Sequence, residues 1–211
     1  MEYKINEIFC SIQGEGKYAG TPAIFIRMAG CNVRCSWCDT KYSWEINPGA
    51  MMTPKRVLEK INEWSRHEYV IITGGEPSIW DLRELVVYLQ TNRSVRVHVE
   101  TSGANELKGS ELFNWITCSP KEHRDFFVHP DIQPNEIKLI VDKNFDFIAT
   151  MDRVFMGLGG ERMNNAFLFV QPMECDTKEE SNASLQKCLE ICKQYPYVRL
   201  SLQLHKIIGV R

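Results

Sequence analysis

The chain has 211 residues, of which 44% are hydrophobic and 25% charged, a composition typical of a globular protein and not of a disordered or fibrous one. Its 25 Lys and Arg against 27 Asp and Glu give a net charge of −2, so the charge does not favour direct binding of nucleic acid. The apolar runs are too short to cross a bilayer, and the start, Met1–Lys4, lacks a signal-peptide pattern. A cytoplasmic protein without a membrane partner is therefore expected.

Apolar, β-rich runs alternate with helical patterns along the chain. Strands are predicted at Ala23–Met28, Tyr69–Thr73, Val95–Glu100, Trp115–Cys118, Ile137–Val141, Ala166–Gln171 and Val198–Gln203. An earlier segment, Tyr3–Phe9, predicts an additional edge strand. Helices are predicted after the capping residues Thr53, Asp81 and Thr177, and a shorter one at Asn144–Phe155. This alternation predicts an α/β protein with a parallel sheet or barrel, folded as a single domain.

Residues able to do chemistry follow nearly every predicted strand. They are Arg27, Thr73–Pro77, Glu100–Gly103, Ser119–Lys121, Gln171–Met173 and Gln203–His205. In parallel α/β folds the ligand site lies at the carboxyl ends of the strands. The sequence therefore predicts that these segments converge on one cavity.

Three of the eight cysteines, Cys31, Cys35 and Cys38, form the pattern C-x3-C-x2-C. Such crowding in a chain without a signal peptide indicates metal or cluster binding. Three thiolates can hold three irons of a [4Fe–4S] cluster and leave the fourth iron open, whereas a closed cluster or a structural zinc site normally has four protein ligands. A zinc knuckle or free thiols are the alternative. No second cluster is expected from the other cysteines, Cys10, Cys118, Cys175, Cys188 and Cys192.

This motif resembles that of the radical S-adenosylmethionine (SAM) enzymes, in which an aromatic residue, here Trp37, precedes the last cysteine. The resemblance implies a SAM whose methionine end chelates the open iron and whose cleavage yields a 5′-deoxyadenosyl radical. It also implies that Gly74–Pro77 contacts the methionine amino group, which suits the carboxylate of Glu76. The cofactor-binding residues predicted in this way are Trp37, Gly74, Gly75, Glu76, Thr101, Ser102, Ser119, Lys121 and Gln171.

The segment before the cysteines narrows the resemblance. Ser11–Gly16 and Gly20–Pro22 precede the motif, which runs into Cys38–Thr40. Together with the Gly-Gly-Glu-Pro and Ser-Pro-Lys elements, they make the chain similar to the 7-carboxy-7-deazaguanine synthase family from Glu7 to Lys206. Members of that family convert 6-carboxy-5,6,7,8-tetrahydropterin to 7-carboxy-7-deazaguanine with loss of ammonia, on the route to queuosine. The radical takes hydrogen from C6 before the ring contracts.

The resemblance also implies an architecture and partners. The fold is expected to be a partial (β/α) barrel of the radical SAM type, with about six core parallel strands. It forms a single domain over residues 1–211, with the cluster loop at residues 29–44. The partners implied are the pterin substrate, a flavodoxin- or ferredoxin-like reductant and a second copy of the chain in a homodimer.

The substrate-binding residues implied by the resemblance are Ile12, Gln13, Gly14, Glu15, Gly16, Arg27, His205 and Arg211. The carboxylate of Glu15 suits the hydrogen-donating, guanidine-like edge of a pterin. Arg27 suits the substrate carboxylate, with a surface ion pair as the alternative. His205 either completes the pocket or is a structural residue.

Two assignments rest mainly on the resemblance. Thr40 is implied to be a protein ligand of Mg²⁺, an ion that commonly takes few protein ligands, and the alternative is that Thr40 only caps a turn. The terminal carboxylate, here on Arg211, is implied to lie close to substrate. Whether Arg211 points inward is left open by the sequence.

Two other functions share parts of this pattern. A glycyl-radical activating enzyme would use the same cluster and cofactor but would need an open groove that admits a protein loop. A zinc-stabilised or iron–sulfur binding module would use the cysteines without catalysis. The Gln13–Gly16 segment and the short chain favour a small-molecule pocket.

Overall fold

The computed structural model describes residues 1–159 and 165–211, and its strands form one mixed sheet. The strands are β1 (Tyr3–Ile12), β2 (Pro22–Met28), β3 (Ala50–Met52), β4 (Tyr69–Gly74), β5 (Arg96–Thr101), β6 (Trp115–Cys118), β7 (Glu136–Val141), β8 (Phe167–Pro172) and β9 (Val198–Leu200). Their order in the sheet is β3-β1-β2-β4-β5-β6-β7-β8-β9. Strands β2 and β4 to β9 are mutually parallel, whereas β1 pairs antiparallel with both β2 and β3. The α/β class and the parallel core are thus confirmed, with seven parallel strands in the described chain where about six were expected.

Two strand predictions were wrong in detail. The segment at Tyr3–Phe9 is not an edge strand, because β3 pairs outside it; β3 has only three residues, too few for a recognisable pattern. The last predicted strand, Val198–Gln203, stops at Leu200, because the chain turns there into a short helix.

The helices are α1 (Pro54–Ile61), α2 (Arg83–Arg93), α3 (Phe147–Leu158), α4 (Lys178–Gln194) and α5 (Leu204–Ile208). The side chains of Thr53 and Thr177 cap α1 and α4 by accepting from backbone N–H groups. Asp81 does not occupy the N-cap of α2, which is Leu82; its carboxylate accepts from the N–H of Arg83 instead. Helix α3 begins at Phe147 because Asp146 caps it, later than predicted. None of the helices in the described chain is both long and apolar enough to span a membrane.

Alternate residues of each strand face opposite sides of the sheet, and the two sides differ in character. The outer side packs apolar strand residues such as Ile26, Ile72 and Leu139 against helix residues such as Ile61 and Leu85, all at most 1% exposed. The inner side carries polar and charged residues near its middle. The helices therefore bury the outer side and leave the inner side to form a site.

The loop between β1 and β2 covers the amino-terminal end of this inner space. The Tyr18 ring lies 4.7–5.6 Å, centroid to centroid, from Tyr69, His98 and Trp115, which belong to β4, β5 and β6. Burial lowers the pKa of His98 to about 4, so its ring is uncharged near neutrality in this cluster of aromatic side chains. The opposite end, where the strands finish, stays open for the site.

Candidate active site

The carboxyl ends of the parallel strands surround a cavity of about 950 Å³, a size common for small-molecule sites. Every residue predicted to bind cofactor, substrate or metal lines this cavity, except Gly16. The strand ends therefore converge on one cavity, as predicted.

The structure does not bring Gly16 to the cavity. Its N–H donates to the Ser201 hydroxyl at 3.0 Å, and a Cβ at this position would lie 2.2 Å from Oε1 of Glu136. Its backbone also has a φ of +66°, which favours glycine. Gly16 therefore allows the β1–β2 loop to turn closely against Glu136 and Ser201, outside the cavity lining.

The segment from residue 29 to residue 49 links β2 to β3 and carries the three motif cysteines. It is held by backbone hydrogen bonds, including Gly30 N–H to Ser43 O at 2.8 Å and Cys31 N–H to Trp44 O at 3.0 Å. Cys35 is buried, and this burial raises the pKa of its thiol, an effect that the positive charge of Lys121 opposes. The loop thus presents its thiols to a partly desolvated cavity wall.

The three motif thiols all line the cavity. In the described chain, no three Cys, His, Asp or Glu side chains are close enough to bind one metal ion. A [4Fe–4S] cluster bonds each thiolate to a different iron, so its cysteines need not meet at one point. Three thiols on one loop, all lining the cavity, therefore suit a cluster with one open iron.

Gly74, the last residue of β4, and Gly75, the residue after it, pack closely against the backbone of β2 and the cluster loop. A Cβ on Gly75 would lie 2.0 Å from the carbonyl oxygen of Gly30, and one on Gly74 would lie 2.4 Å from the Met28 nitrogen. The N–H of Glu76 donates to Gly30 O at 2.8 Å. These glycines therefore permit close packing of the β4 end against the cluster loop, a role that the sequence did not indicate.

Glu76 joins the ends of β4 and β5. Its Oε1 accepts from the N–H and hydroxyl of Ser78 and, at 2.5 Å, from the hydroxyl of Thr101, while Oε2 accepts from Ser102 N–H at 2.8 Å. The side chain is thereby fixed in a residue that is only 2% exposed. Oε1 thus accepts three of the described hydrogen bonds and Oε2 only one, so Oε2 is the oxygen with more room for a further donor in the cavity.

The floor of the cavity is a buried ion pair that includes a residue missed by the sequence analysis. Lys138, on β7, donates to Oε2 of Glu15, and the amides of Gln171 and Gln203 each donate to Oε1 at 3.0 Å. Burial opposes ionisation of Glu15, but Lys138 and the two amides outweigh it and hold the Glu15 pKa at about 2. Burial likewise opposes the charge on Lys138, yet the nearby carboxylates raise its pKa above the usual value.

The alternation of charged and apolar residues along β7 could have identified Lys138 from the sequence. Glu136 and Lys138 alternate with Ile137 and Leu139, so the charged residues must share the face opposite the apolar one. Both are buried, which requires partners on the inner side of the barrel.

Glu100 is a second inward carboxylate, which the sequence analysis named among the residues at the strand ends without giving it a role. It accepts from the amide of Gln13 at 2.7 Å and from the hydroxyl of Thr73 at 2.9 Å. The oxygen of the Gln13 side chain in turn accepts from the N–H of Glu15. Glu100 thereby positions the loop that carries Glu15.

Arg27 forms an ion pair, but within the cavity wall and not on the surface. Its Nε donates to Oε1 of Glu7 at 2.7 Å, with the two side chains only 17% and 15% exposed. Burial opposes ionisation of Glu7, but hydrogen bonds from Tyr42 and Arg27 lower its pKa. The pair uses Nε of Arg27, so its terminal nitrogens can serve a carboxylate ligand.

The C-terminus returns to the same wall. The guanidinium of Arg211 pairs with Glu7 and lies 4.9 Å from the centre of the Phe9 ring. The main-chain carbonyl oxygen of Arg211 accepts from the hydroxyl of Ser11. The last residue thus lines the cavity beside Arg27 at an exposed rim.

Helix α5 closes the gap between β9 and β1. The N–H of Leu204 donates to Gly14 O at 2.9 Å, and a Cβ on Gly14 would lie 2.0 Å from Nδ1 of His205. Lys206 pairs with Asp39 at 2.9 Å and Glu174 at 2.6 Å, which ties the helix to the cluster loop. His205 therefore lies at the cavity because Gly14 leaves space for it.

Thr40 does not act as a side-chain cap. It precedes the short 3₁₀ turn at 41–43, but its side chain makes no capping hydrogen bond there. Its hydroxyl lies 3.5 Å from the sulfur of Cys38, on the cavity wall. The structure thus leaves that hydroxyl oxygen available to a ligand.

The remaining cysteines lie apart from the motif. Burial raises the pKa of Cys118 and of Cys188, the latter to about 12, so both are neutral thiols. The sulfur of Cys10 lies 3.1 Å from Nε2 of His67, outside the cavity lining. Cys175 lines the cavity beyond β8, and Cys192 packs against the apolar core.

Comparisons with known proteins agree with this geometry. Residues 25–136 match the model of the radical SAM superfamily. The chain is 37% identical to the 7-carboxy-7-deazaguanine synthase of Synechocystis sp., over 100% of this chain and 95% of the relative. The corresponding enzyme of Buchnera aphidicola is 35% identical over 100% of both chains, and that of Escherichia coli 33% identical over 100% of both.

A solved structure is also similar. The crystal structure of QueE from Escherichia coli matches 97% of this chain and 95% of its own, with a TM-score of 0.76 and 30% identity. Full-length similarity in both sequence and fold, together with the three-cysteine cavity, excludes a bare metal-binding module. The chain is a radical SAM enzyme, with the [4Fe–4S] cluster and SAM that this implies, and it belongs to the 7-carboxy-7-deazaguanine synthase family.

Proposed function

We propose that this chain converts 6-carboxy-5,6,7,8-tetrahydropterin to 7-carboxy-7-deazaguanine with loss of ammonia, by hydrogen abstraction at C6 and ring contraction, in queuosine biosynthesis. The observation that carries the proposal is a single cavity lined by two kinds of group. Three thiols on the cluster loop line its wall, and Glu15, kept ionised by Lys138, lies at its floor. This pairs a radical source with a recognition group for a flat, hydrogen-donating ring.

On the cluster loop, Cys31, Cys35 and Cys38 would hold the [4Fe–4S] cluster. The cluster with SAM supplies a 5′-deoxyadenosyl radical when both are bound. Oε2 of Glu76 can accept from the methionine ammonium, since it accepts only one of the four described hydrogen bonds to this carboxylate. The other cofactor-binding residues proposed are Trp37, Gly74, Gly75, Thr101, Ser102, Ser119, Lys121 and Gln171, all of which line the cavity.

At the cavity floor, the Glu15 carboxylate orients the guanidine-like edge of the pterin. Its low pKa keeps it an acceptor at neutral pH, and its three donors restrict it to one rotamer. The free nitrogens of Arg27 suit the substrate carboxylate. Ile12, Gln13, Gly14, His205 and Arg211 complete the proposed substrate wall.

Mg²⁺ is proposed to bind the Thr40 hydroxyl, with substrate oxygens and water as further ligands. The support is the position of the Thr40 hydroxyl, which lies on the cavity wall beside the Cys38 sulfur and makes no capping hydrogen bond. The chain is further proposed to act as one domain in the cytoplasm, as a homodimer, and to receive its electron from a flavodoxin- or ferredoxin-like protein.

The test is an anaerobic assay with the reconstituted protein, a reductant, SAM, Mg²⁺ and the tetrahydropterin, read by mass spectrometry. SAM-dependent formation of 7-carboxy-7-deazaguanine is the expected result. Formation of 5′-deoxyadenosine without that product would reject the substrate while keeping the radical chemistry. It would direct attention to a protein glycine as the hydrogen donor.

A further inference from the structure

The turn after β6 makes three contacts with the cluster loop, each from a basic side chain. The ammonium of Lys121 lies 4.9 Å from the centre of the Trp37 ring. Nε2 of His123 lies 2.9 Å from Val33 O, and Nη2 of Arg124 donates to Asn32 O at 2.6 Å. The turn Lys121–Arg124 therefore holds the loop from both sides of Cys35.

Lys121 and Arg124 differ from the other cations near the loop. The charge of Arg34 is paired with Glu45 at 2.8 Å and that of Arg27 with Glu7. By contrast, Lys121 donates to the neutral hydroxyl of Ser119 at 2.7 Å, and Arg124 donates to a carbonyl. Their positive charge is thus not cancelled by the group to which each is bound.

Lys121 is also partly withdrawn from water. Burial lowers its pKa, and the charge of Cys35 acts in the opposite direction. A positive charge in a medium of low dielectric constant acts strongly on a neighbouring site that gains or loses an electron. One-electron reduction makes a cluster with three thiolates more negative, so a nearby cation favours the reduced form.

We propose that the turn Lys121–Arg124 is a cationic clamp on the cluster loop and that the charge of Lys121 raises the reduction potential of the [4Fe–4S] cluster. This inference rests on the proposed function, since it presumes that the motif cysteines hold that cluster. It assigns Lys121 a role that is separate from contact with SAM. The reaction concerned is transfer of one electron from an external reductant to the cluster, with no proton or bond change in the chain.

The test compares Lys121→Gln with Lys121→Arg and with the control Lys143→Gln. Lys143 lines the same cavity, but its ammonium pairs with Glu180 at 3.0 Å and has no contact with the cluster loop among the described interactions. Each protein is reconstituted anaerobically and titrated with dithionite, without SAM, while the reduced cluster is followed by EPR. The readout is the midpoint potential and not turnover.

Lys121→Gln is expected to need a more negative potential. At the wild-type midpoint, the ratio of reduced to oxidised cluster should fall about tenfold, which corresponds to about 59 mV for a one-electron couple. Lys121→Arg and Lys143→Gln should have the same midpoint potential as the wild type. An unshifted Lys121→Gln midpoint, or an equal shift in Lys143→Gln, would overturn the proposal.

Arg124→Gln decides the matter if Lys121→Gln does not assemble a cluster. Arg124 is exposed, so its replacement should not disturb folding. Its midpoint should move in the same direction by less, because solvent and salt screen an exposed charge. An unchanged midpoint would then reject the clamp. Failure of the proposed function would instead appear as a wild-type protein without a [4Fe–4S] signal or without product.

Discussion

The outer and inner sides of the sheet are formed by the same strands but serve different purposes. The outer side of β4 contributes Val70 and Ile72 to an apolar core under the helices, where a residue need only be hydrophobic and of suitable size. The inner side contributes Thr73, bound to the Glu100 carboxylate. Inner residues are individually specified, since a buried polar group without its partner costs free energy. The outer side accordingly stabilises the fold. The inner side carries the chemistry, and it tolerates fewer substitutions.

The largest expected effect concerns the cluster loop. Cys35→Ala should remove one of three cluster ligands and abolish SAM cleavage and product formation, while far-UV circular dichroism stays that of the wild type. Iron analysis and absorbance after reconstitution provide the measurement. Cys192→Ala, outside the cavity, is the control and should keep both. A Cys35→Ala protein that retains a full cluster and turnover would contradict the motif assignment.

The next effect tests the inner ion pair. Lys138→Met should lower the free energy of unfolding by about 3–5 kcal/mol, because it leaves the Glu15 carboxylate buried without its cation. Urea unfolding measures the loss. The double variant Glu15→Gln/Lys138→Met should recover part of it, since no unpaired charge remains. Lys60→Met, which breaks an exposed pair with Glu63, should change stability by less than about 1 kcal/mol.

The outer side should respond to loss of volume and not to loss of a partner. Leu85→Ala, at 0% exposure on α2, is expected to cost about 2–5 kcal/mol. Leu85→Met should cost less than about 1.5 kcal/mol, since it conserves volume. If Leu85→Met were as damaging as Lys138→Met, the contrast between the two sides would not hold.

A smaller effect is that variants of the two sides should differ in how their stability depends on pH. In the folded protein the pKa of Glu15 is about 2, which lies below the ordinary glutamate value of 4.5. Its contribution is therefore fully present above the unfolded-state pKa and is lost as the pH falls from about 5 towards 2. Glu15→Gln should flatten the acid limb of the stability curve in this window, as followed by urea midpoints. The curve of Leu85→Ala should instead shift downward without a change of slope.

Glu15 also carries a functional prediction. Glu15→Ala should weaken substrate binding while uncoupled SAM cleavage to 5′-deoxyadenosine continues, because the cluster is held by Cys31, Cys35 and Cys38 and not by Glu15. Calorimetric titration with the tetrahydropterin and quantification of 5′-deoxyadenosine provide the two readings. Unchanged substrate affinity would remove Glu15 from the proposed pocket.

Local sequence patterns predicted part of the structure, and the features that they missed have identifiable physical causes. The caps Thr53 and Thr177 lie where the sequence predicts them, since capping involves neighbours three residues away. Strand β3 was missed, because three residues carry no periodicity, and Gly16 was misplaced, because its motif does not show which side of the loop faces the cavity. Gly75 serves the carbonyl of Gly30, a contact that no local pattern contains.

By itself, the sequence determined the alternation of strands and helices and the chemistry of the cluster loop, because hydrophobic period, caps and thiol spacing act over a few residues. Only the tertiary structure decided how that chemistry is supported. Glu15 meets Lys138 across 123 residues of sequence, and the turn Lys121–Arg124 meets a loop about 90 residues earlier. Those pairings depend on the register and closure of the sheet, and it is there that buried charges find the partners that make them stable.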